Sequence, residues 1–128
     1  MVQTIQTKLL AYTAALDDLS AVVEFLQSPD NHTALETIER GLIERFELSH
    51  DMAWRVMHDY AVENDTPVAN SDRAATREAF AMQLFDDGYL WMEMIATRAA
   101  KPEHYAKLIA ERFFPELMKF RNTMKSKI

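Results

Sequence analysis

The chain has no cysteine, only two glycines among 128 residues, and four prolines. Without cysteine there is no disulfide scaffold, no thiol nucleophile and no cysteine-ligated zinc or iron–sulfur site. Two glycines are too few for the many tight turns of an all-β chain. Neither lies in a glycine-rich phosphate loop, so the machinery of an ordinary ATP-using enzyme is missing. No apolar run approaches the ~20 residues that cross a bilayer. The short stretch Leu9–Leu16 runs into Asp17-Asp18 and makes a poor secretory signal. The serines stand in no nucleophile elbow. The expectation is a cytoplasmic protein, with residues 1–128 forming one domain and no membrane contact.

What the chain does have is apolar residues (48%) and an uneven charge. The net charge is −6, but residues 1–100 carry 7 basic and 17 acidic side chains while residues 101–128 carry 7 basic and 3 acidic. An acidic body disfavours non-specific duplex binding, which rests on Lys and Arg contacts to phosphate. The basic end (Lys119, Arg121, Lys125, Lys127) is read as a helix C-terminus carrying cations that suit its dipole, with RNA or an acidic partner as the other reading.

Periodicity predicts helices throughout. Ile5, Leu9, Tyr12, Leu16, Leu19, Val23 and Leu26 step by fours and threes, the seam of an amphipathic helix from Gln3 to Gln27 that Ser28-Pro29-Asp30 stops. Thr33 and Glu36 form a capping box for a long helix reaching Glu63, with a kink or short break expected at Gly41. Asn70 or Ser71 caps a third helix to Phe85, stopped by Asp86-Asp87-Gly88. A fourth runs from Tyr89 to Ala99. A fifth follows Lys101-Pro102-Glu103, with Ala106, Ile109, Phe113, Leu117, Phe120 and Met124 on one stripe and Pro115 as a kink. The fold class is all-α: an up-and-down four-helix bundle with an additional short or kinked helix.

Chemistry is sparse. Arg45, Glu47, Arg77, Glu78 and Arg98 sit in or beside apolar stretches, where an unpaired buried charge costs several kcal/mol. Either they point outward or pair as structural salt bridges, or they line a polar pocket, with Trp91 nearby. Glu47 and His50 have Glu-x-x-His spacing, but no second such pair exists, so they read as a surface pair and neither a metal nor a cofactor is called for. His58 reads as half-buried. Arg98, Glu103, His104 and Tyr105 cluster at the bend before the last helix. An arginine for phosphate, a histidine for proton transfer and a phenol would suit metal-free RNA cleavage by the 2′-hydroxyl. Arg98 as a helix C-terminal cation and Glu103 in a first turn are the plainer readings.

The segment Gly41-Leu-Ile-Glu-Arg-Phe-Glu-Leu-Ser-His-Asp-Met-Ala-Trp-Arg-Val-Met-His-Asp-Tyr60, followed by Arg77-Glu78-Ala79-Phe80, Asp87-Gly88, and Trp91 with Arg98 seven residues on, resembles the nucleotidyltransferase substrate-binding proteins. The resemblance implies a bacterial four-helix bundle of the HEPN superfamily, usually a homodimer, partnered by a minimal nucleotidyltransferase in a toxin–antitoxin-type pair. In the toxin branch an Arg-Asn-x-x-x-His-x-Tyr motif cleaves RNA, and the partner silences it by placing AMP on the tyrosine. Here Arg98 and Tyr105 match the motif, Ala99 replaces the asparagine, Glu103 stands at the histidine position and His104 is one place late. One residue on a helix turns a side chain by about 100°. The resemblance therefore points to a binding subunit for the nucleotidyltransferase. A ribonuclease using Arg98 and His104, with Tyr105 or Glu103 at the AMP-acceptor position, is the alternative, and a purely structural dimerising bundle is a third reading.

Overall fold

The computed structural model describes residues 4–26 and 35–128. The stop at Ser28-Pro29-Asp30, His32 and the capping hydroxyl of Thr33 lie outside the described residues. Helix α1 is Ile5–Leu26, α2 is Leu35–Glu63, α3 is Asp72–Ala81 and α4 is Gly88–Ala100. The last rod is α5 (Tyr105–Leu108), a π-helical turn (Ile109–Phe113) and α6 (Phe114–Lys127). Among the described residues there is no strand, and no helix is long and apolar enough to cross a membrane. The all-α bundle expected from periodicity is therefore the fold, although α3 (10 residues) and α4 (13 residues) are much shorter than α1 and α2.

Helix α2 is the hub. It packs against α1 and α3 and against α5, the π turn and α6, while α6 also returns to α1 and α4 lies against α3. The α1 seam behaves as its spacing predicts: Ile5, Leu9, Tyr12, Leu16, Leu19 and Val23 are buried and Leu26 packs at the edge of the core. Full burial of such side chains contributes roughly 1.5–3 kcal/mol each. The one polar group of the seam, the Tyr12 hydroxyl, donates to the Leu117 carbonyl of α6 at 2.6 Å. Burial holds that phenol well above its ordinary pKa, so it stays a donor.

Three expectations about helix ends are corrected. Helix α2 runs through Gly41 without a break, and the Arg45 Nη1 folds back to the Gly41 carbonyl at 3.2 Å. Helix α3 stops at Ala81, four residues before Phe85. The Leu84 amide bonds Ala79 O and the Gln83 amide bonds Phe80 O, the double bond of a Schellman end, with Gln83 at φ 61° where glycine is usual. This turn feeds Leu84 and Phe85 into the core. Gly88, expected to stop a helix, instead opens α4, capped by Asp87 whose Oδ1 accepts the Leu90 amide at 2.9 Å.

Pro115 does perturb the last rod, through the turn before it. The Phe114 amide bonds the Ile109 carbonyl five residues back, so one residue is accommodated extra just where proline removes a donor and crowds the preceding turn. The predicted stripe survives this adjustment, since Ala106, Ile109, Phe113, Leu117, Phe120 and Met124 are all buried. Through the core runs a column of rings. Phe113 stacks on Phe46 (5.4 Å), Phe46 on His50 (5.9 Å), His50 on Trp91 (6.3 Å) and Trp91 on Phe85 (4.9 Å).

Candidate functional site: a polar junction of α2, α4 and α5

A histidine within that column draws polar chemistry into the core. On α2 the residues Leu42, Phe46, His50, Ala53 and Met57 recur every three or four positions and are fully buried, so His50 occupies a core position. On α4, Trp91, Met94, Ile95 and Arg98 share the stripe that meets α2, with the two turns from Trp91 to Arg98 setting the guanidinium level with His50. Arg98 Nη1 bonds His50 Nδ1 at 2.9 Å and Asp51 Oδ1 at 2.7 Å.

A guanidinium only donates, so His50 Nδ1 is the acceptor and the imidazole is the neutral tautomer protonated at Nε2. Burial, then the Arg98 charge, lower the His50 pKa to about 4. Its Nε2 is buried with no partner among the described residues. Asp51 feels opposing effects. Burial raises its pKa, but the hydrogen bond and charge of Arg98, helped by the Trp54 indole at 3.4 Å, hold it below its ordinary value.

One turn earlier on α2, Glu47 Oε2 accepts the Tyr105 hydroxyl and the Lys101 ammonium, each at 2.9 Å. Burial pushes the Glu47 carboxyl up, and the bonds from Lys101 and Tyr105 outweigh it, leaving the group ionised at a pKa below the usual one. Tyr105 is almost wholly buried, its ring edge-on to Phe46 at 5.9 Å. Burial, then the Glu47 contact, raise its pKa far out of reach, so the phenol is a neutral donor. Lys101 reaches Glu47 from the C-cap of α4, where it takes a left-handed conformation (φ 47°) and its amide bonds Thr97 O. That conformation is unusual for a residue with a side chain.

The structure brings together Glu47, Arg98 and Tyr105 of the residues singled out in the sequence, and adds His50, Asp51 and Lys101. Glu47 and His50 are not a surface pair: the histidine is in the core and the carboxylate is half-buried. Both His104 and Glu103 are exposed, and no hydrogen bond joins either to Arg98 among the described residues. Arg45 and Arg77 are exposed, Glu78 is half-buried on α3, and Trp91 is a core residue whose indole donates to Glu116 at 3.1 Å. His58 is half-buried as expected, beside Asp59. A readable signal for His50 existed, because its spacing from Phe46 and Ala53 continues the apolar stripe. Asp51 and Lys101 carried none, since each is chosen by where a neighbouring helix places Arg98 and Glu47.

Among the described residues no three His, Asp or Glu side chains are grouped to hold a metal ion. With its arginine bonded to Asp51 and His50, its histidine buried and neutral, and its phenol donating to a carboxylate, the junction is built to hold helices and present a charged rim. The fold and this junction define an all-α bundle with a charge-bridged α2–α4–α5 corner. The family model for nucleotidyltransferase substrate binding protein like sequences matches residues 7–127, and the chain belongs to that family. Comparison with curated proteins gives no significant match.

Proposed function

We propose that this chain is the binding subunit of a minimal nucleotidyltransferase, acting in the cytoplasm as one half of a HEPN-type toxin–antitoxin pair and as a homodimer. The observation that carries this reading is the internal use of Arg98 and Tyr105. Both match the motif of the catalytic branch, yet Arg98 is bonded to Asp51 and His50 and Tyr105 to Glu47, while His104 stands exposed and apart. Membership of the substrate-binding family supplies the partner class. An AMP group arriving at Tyr105 would have to displace its bond to Glu47, the carboxylate that also holds Lys101.

The test is affinity capture of the tagged full-length chain from its native cells, with mass spectrometry of what accompanies it. A nucleotidyltransferase recovered in near-equal amount supports the reading, and its absence contradicts it. The intact mass of the captured chain then tells whether Tyr105 carries an AMP-sized adduct. Light scattering of the purified chain checks the dimer, and a stable monomer would remove that part of the proposal.

A further inference from the structure

Where α1, α2 and the loop entering α3 meet, a pocket of about 360 Å³ opens to solvent. It is lined by Lys8 of α1, by Trp54, Arg55, His58 and Asp59 of α2, and by Asn70 of the loop. Positions 54 and 58, and 55 and 59, lie one turn apart, so the four α2 side chains share a face. Polar groups make up most of the wall, and no residue of it belongs to the junction with α4.

The basic side chains of this wall are held in place yet only partly used. Asp59 takes Lys8 Nζ on Oδ2 at 2.5 Å and His58 Nδ1 on Oδ1 at 3.2 Å, which fixes both side chains about one carboxylate. An ammonium has three N–H donors, so Lys8 keeps two. The Arg55 guanidinium lies over the Trp54 ring, 5.5 Å from its centroid. Stacking of this kind uses the guanidinium face and leaves the N–H donors at its edge free. Among the described residues neither Arg55 nor the Asn70 amide makes a side-chain hydrogen bond or ion pair. Residues 1–100 are strongly acidic, with seven basic side chains, and two of those seven meet at this pocket. The one carboxylate that lines it, Asp59, is already bonded through both oxygens.

We infer that the pocket binds a phosphate group, free or carried as a monoester, with its oxygens on the Arg55 guanidinium, the Lys8 ammonium and the Asn70 amide. These donors come from three elements and so reach a bound group from several sides. That suits a tetrahedral phosphate with three terminal oxygens better than a planar carboxylate with two. Two cations also match a dianion, and the His58 ring, when protonated, adds a donor from Nε2. A phosphate fills only part of the pocket, so the remainder is open to the group esterified to it. This goes beyond the partner reading and needs only the chain itself, so its failure leaves the capture experiment untouched.

The experiment is a nuclear magnetic resonance titration of the labelled full-length chain at pH 7 and constant ionic strength, with inorganic phosphate and with ribose 5-phosphate. Acetate and uncharged ribose are the controls, and the Trp54 indole and Asn70 side-chain amide signals are the readouts. Arg55→Gln and Lys8→Gln are run beside the parent, with circular dichroism to verify the helices. The expected result is saturable one-to-one shifts at this pocket with both phosphates and little response to acetate or ribose. Arg55→Gln should weaken binding about tenfold, and Lys8→Gln should weaken it as well. Equal affinity for the two phosphates supports contacts to the phosphate group alone, and tighter binding of the sugar phosphate supports an ester as the ligand. Absence of saturable shifts, an equal response to acetate, or unchanged affinity in Arg55→Gln overturns the inference. So do shifts that centre on the basic end of α6, because the phosphate would then be following charge and not this pocket.

Discussion

Helix α2 is gripped by two very different surfaces. Against α1 it meets a largely apolar seam, in which the Tyr12 hydroxyl is satisfied by one backbone carbonyl and the ion pair of Lys8 with Asp59 joins the two helices. Against α4 and α5 it meets Arg98, Lys101 and Tyr105, which answer His50, Asp51 and Glu47 on α2. The first surface depends on area removed from water, which is non-directional and tolerant of pH. The second depends on a few hydrogen bonds and charges whose protonation must be right. A bundle needs only the first kind of contact to fold. The second kind fixes how α4 and the α4–α5 link sit on α2.

The comparison can be broken most severely at Trp91, where the ring column and the junction meet. Trp91→Ala should lower stability by about 4 kcal/mol, read as a fall in the urea midpoint, and should also leave the buried Glu116 carboxyl without its indole donor. Leu16→Ala on the α1 side is expected to cost about 3 kcal/mol. That loss should be the same at pH 7 and pH 5, since the substitution removes only apolar surface.

The junction should answer to pH. The folded-state pKa of His50 lies near 4 against an unfolded 6.5, so between those values the unfolded chain binds more protons and stability falls as pH falls. From pH 7 to pH 5 this amounts to about 2 kcal/mol, measurable by urea unfolding at the two values, and His50→Gln should flatten the dependence. Asp51 and Glu47, with pKa values held below their usual ones, add losses in the same direction at still lower pH.

Arg98→Met keeps bulk and removes the charge. It should cost about 2 kcal/mol at pH 7 by leaving His50 Nδ1 unpaired and Asp51 with only the Trp54 indole. The folded pKa of His50 should also rise, narrowing the pH-dependent window, and nuclear magnetic resonance titration of the imidazole would show this directly. Tyr105→Phe is the mildest of these changes. Glu47 keeps Lys101, the ring keeps its edge contact with Phe46, and the cost should be about 1 kcal/mol.

The same contrast explains what could be read from the chain before its structure. The α1 seam and the stripe from Ala106 to Met124 follow from helical spacing alone, because apolar burial repeats with the helix period. Helix ends were less legible. Gln83 takes a left-handed conformation that residue type gives no hint of, so α3 appeared to run to Phe85, and Gly88 looked like a stop although its role is to make room for the Phe80 ring. Of the junction, Arg98 and Glu47 stood out because a charge in an apolar stretch needs a partner, and Tyr105 because it falls in the cluster with Arg98 at the bend before the last helix. Their partners did not, because the choice among several acidic side chains is made by the rotation of α4 about its axis. His50 was the near miss. Its spacing placed it in the core, and its polarity drew the reading to the surface.

The central claim is that the junction holds helices and serves binding, with its arginine unavailable for cleavage. The most direct measurement incubates the purified chain with total RNA in EDTA beside Arg98→Ala and His104→Ala. The account predicts that the parent degrades RNA no faster than either variant. Cleavage by the parent that both substitutions abolish would contradict it and would make this bundle a metal-independent ribonuclease.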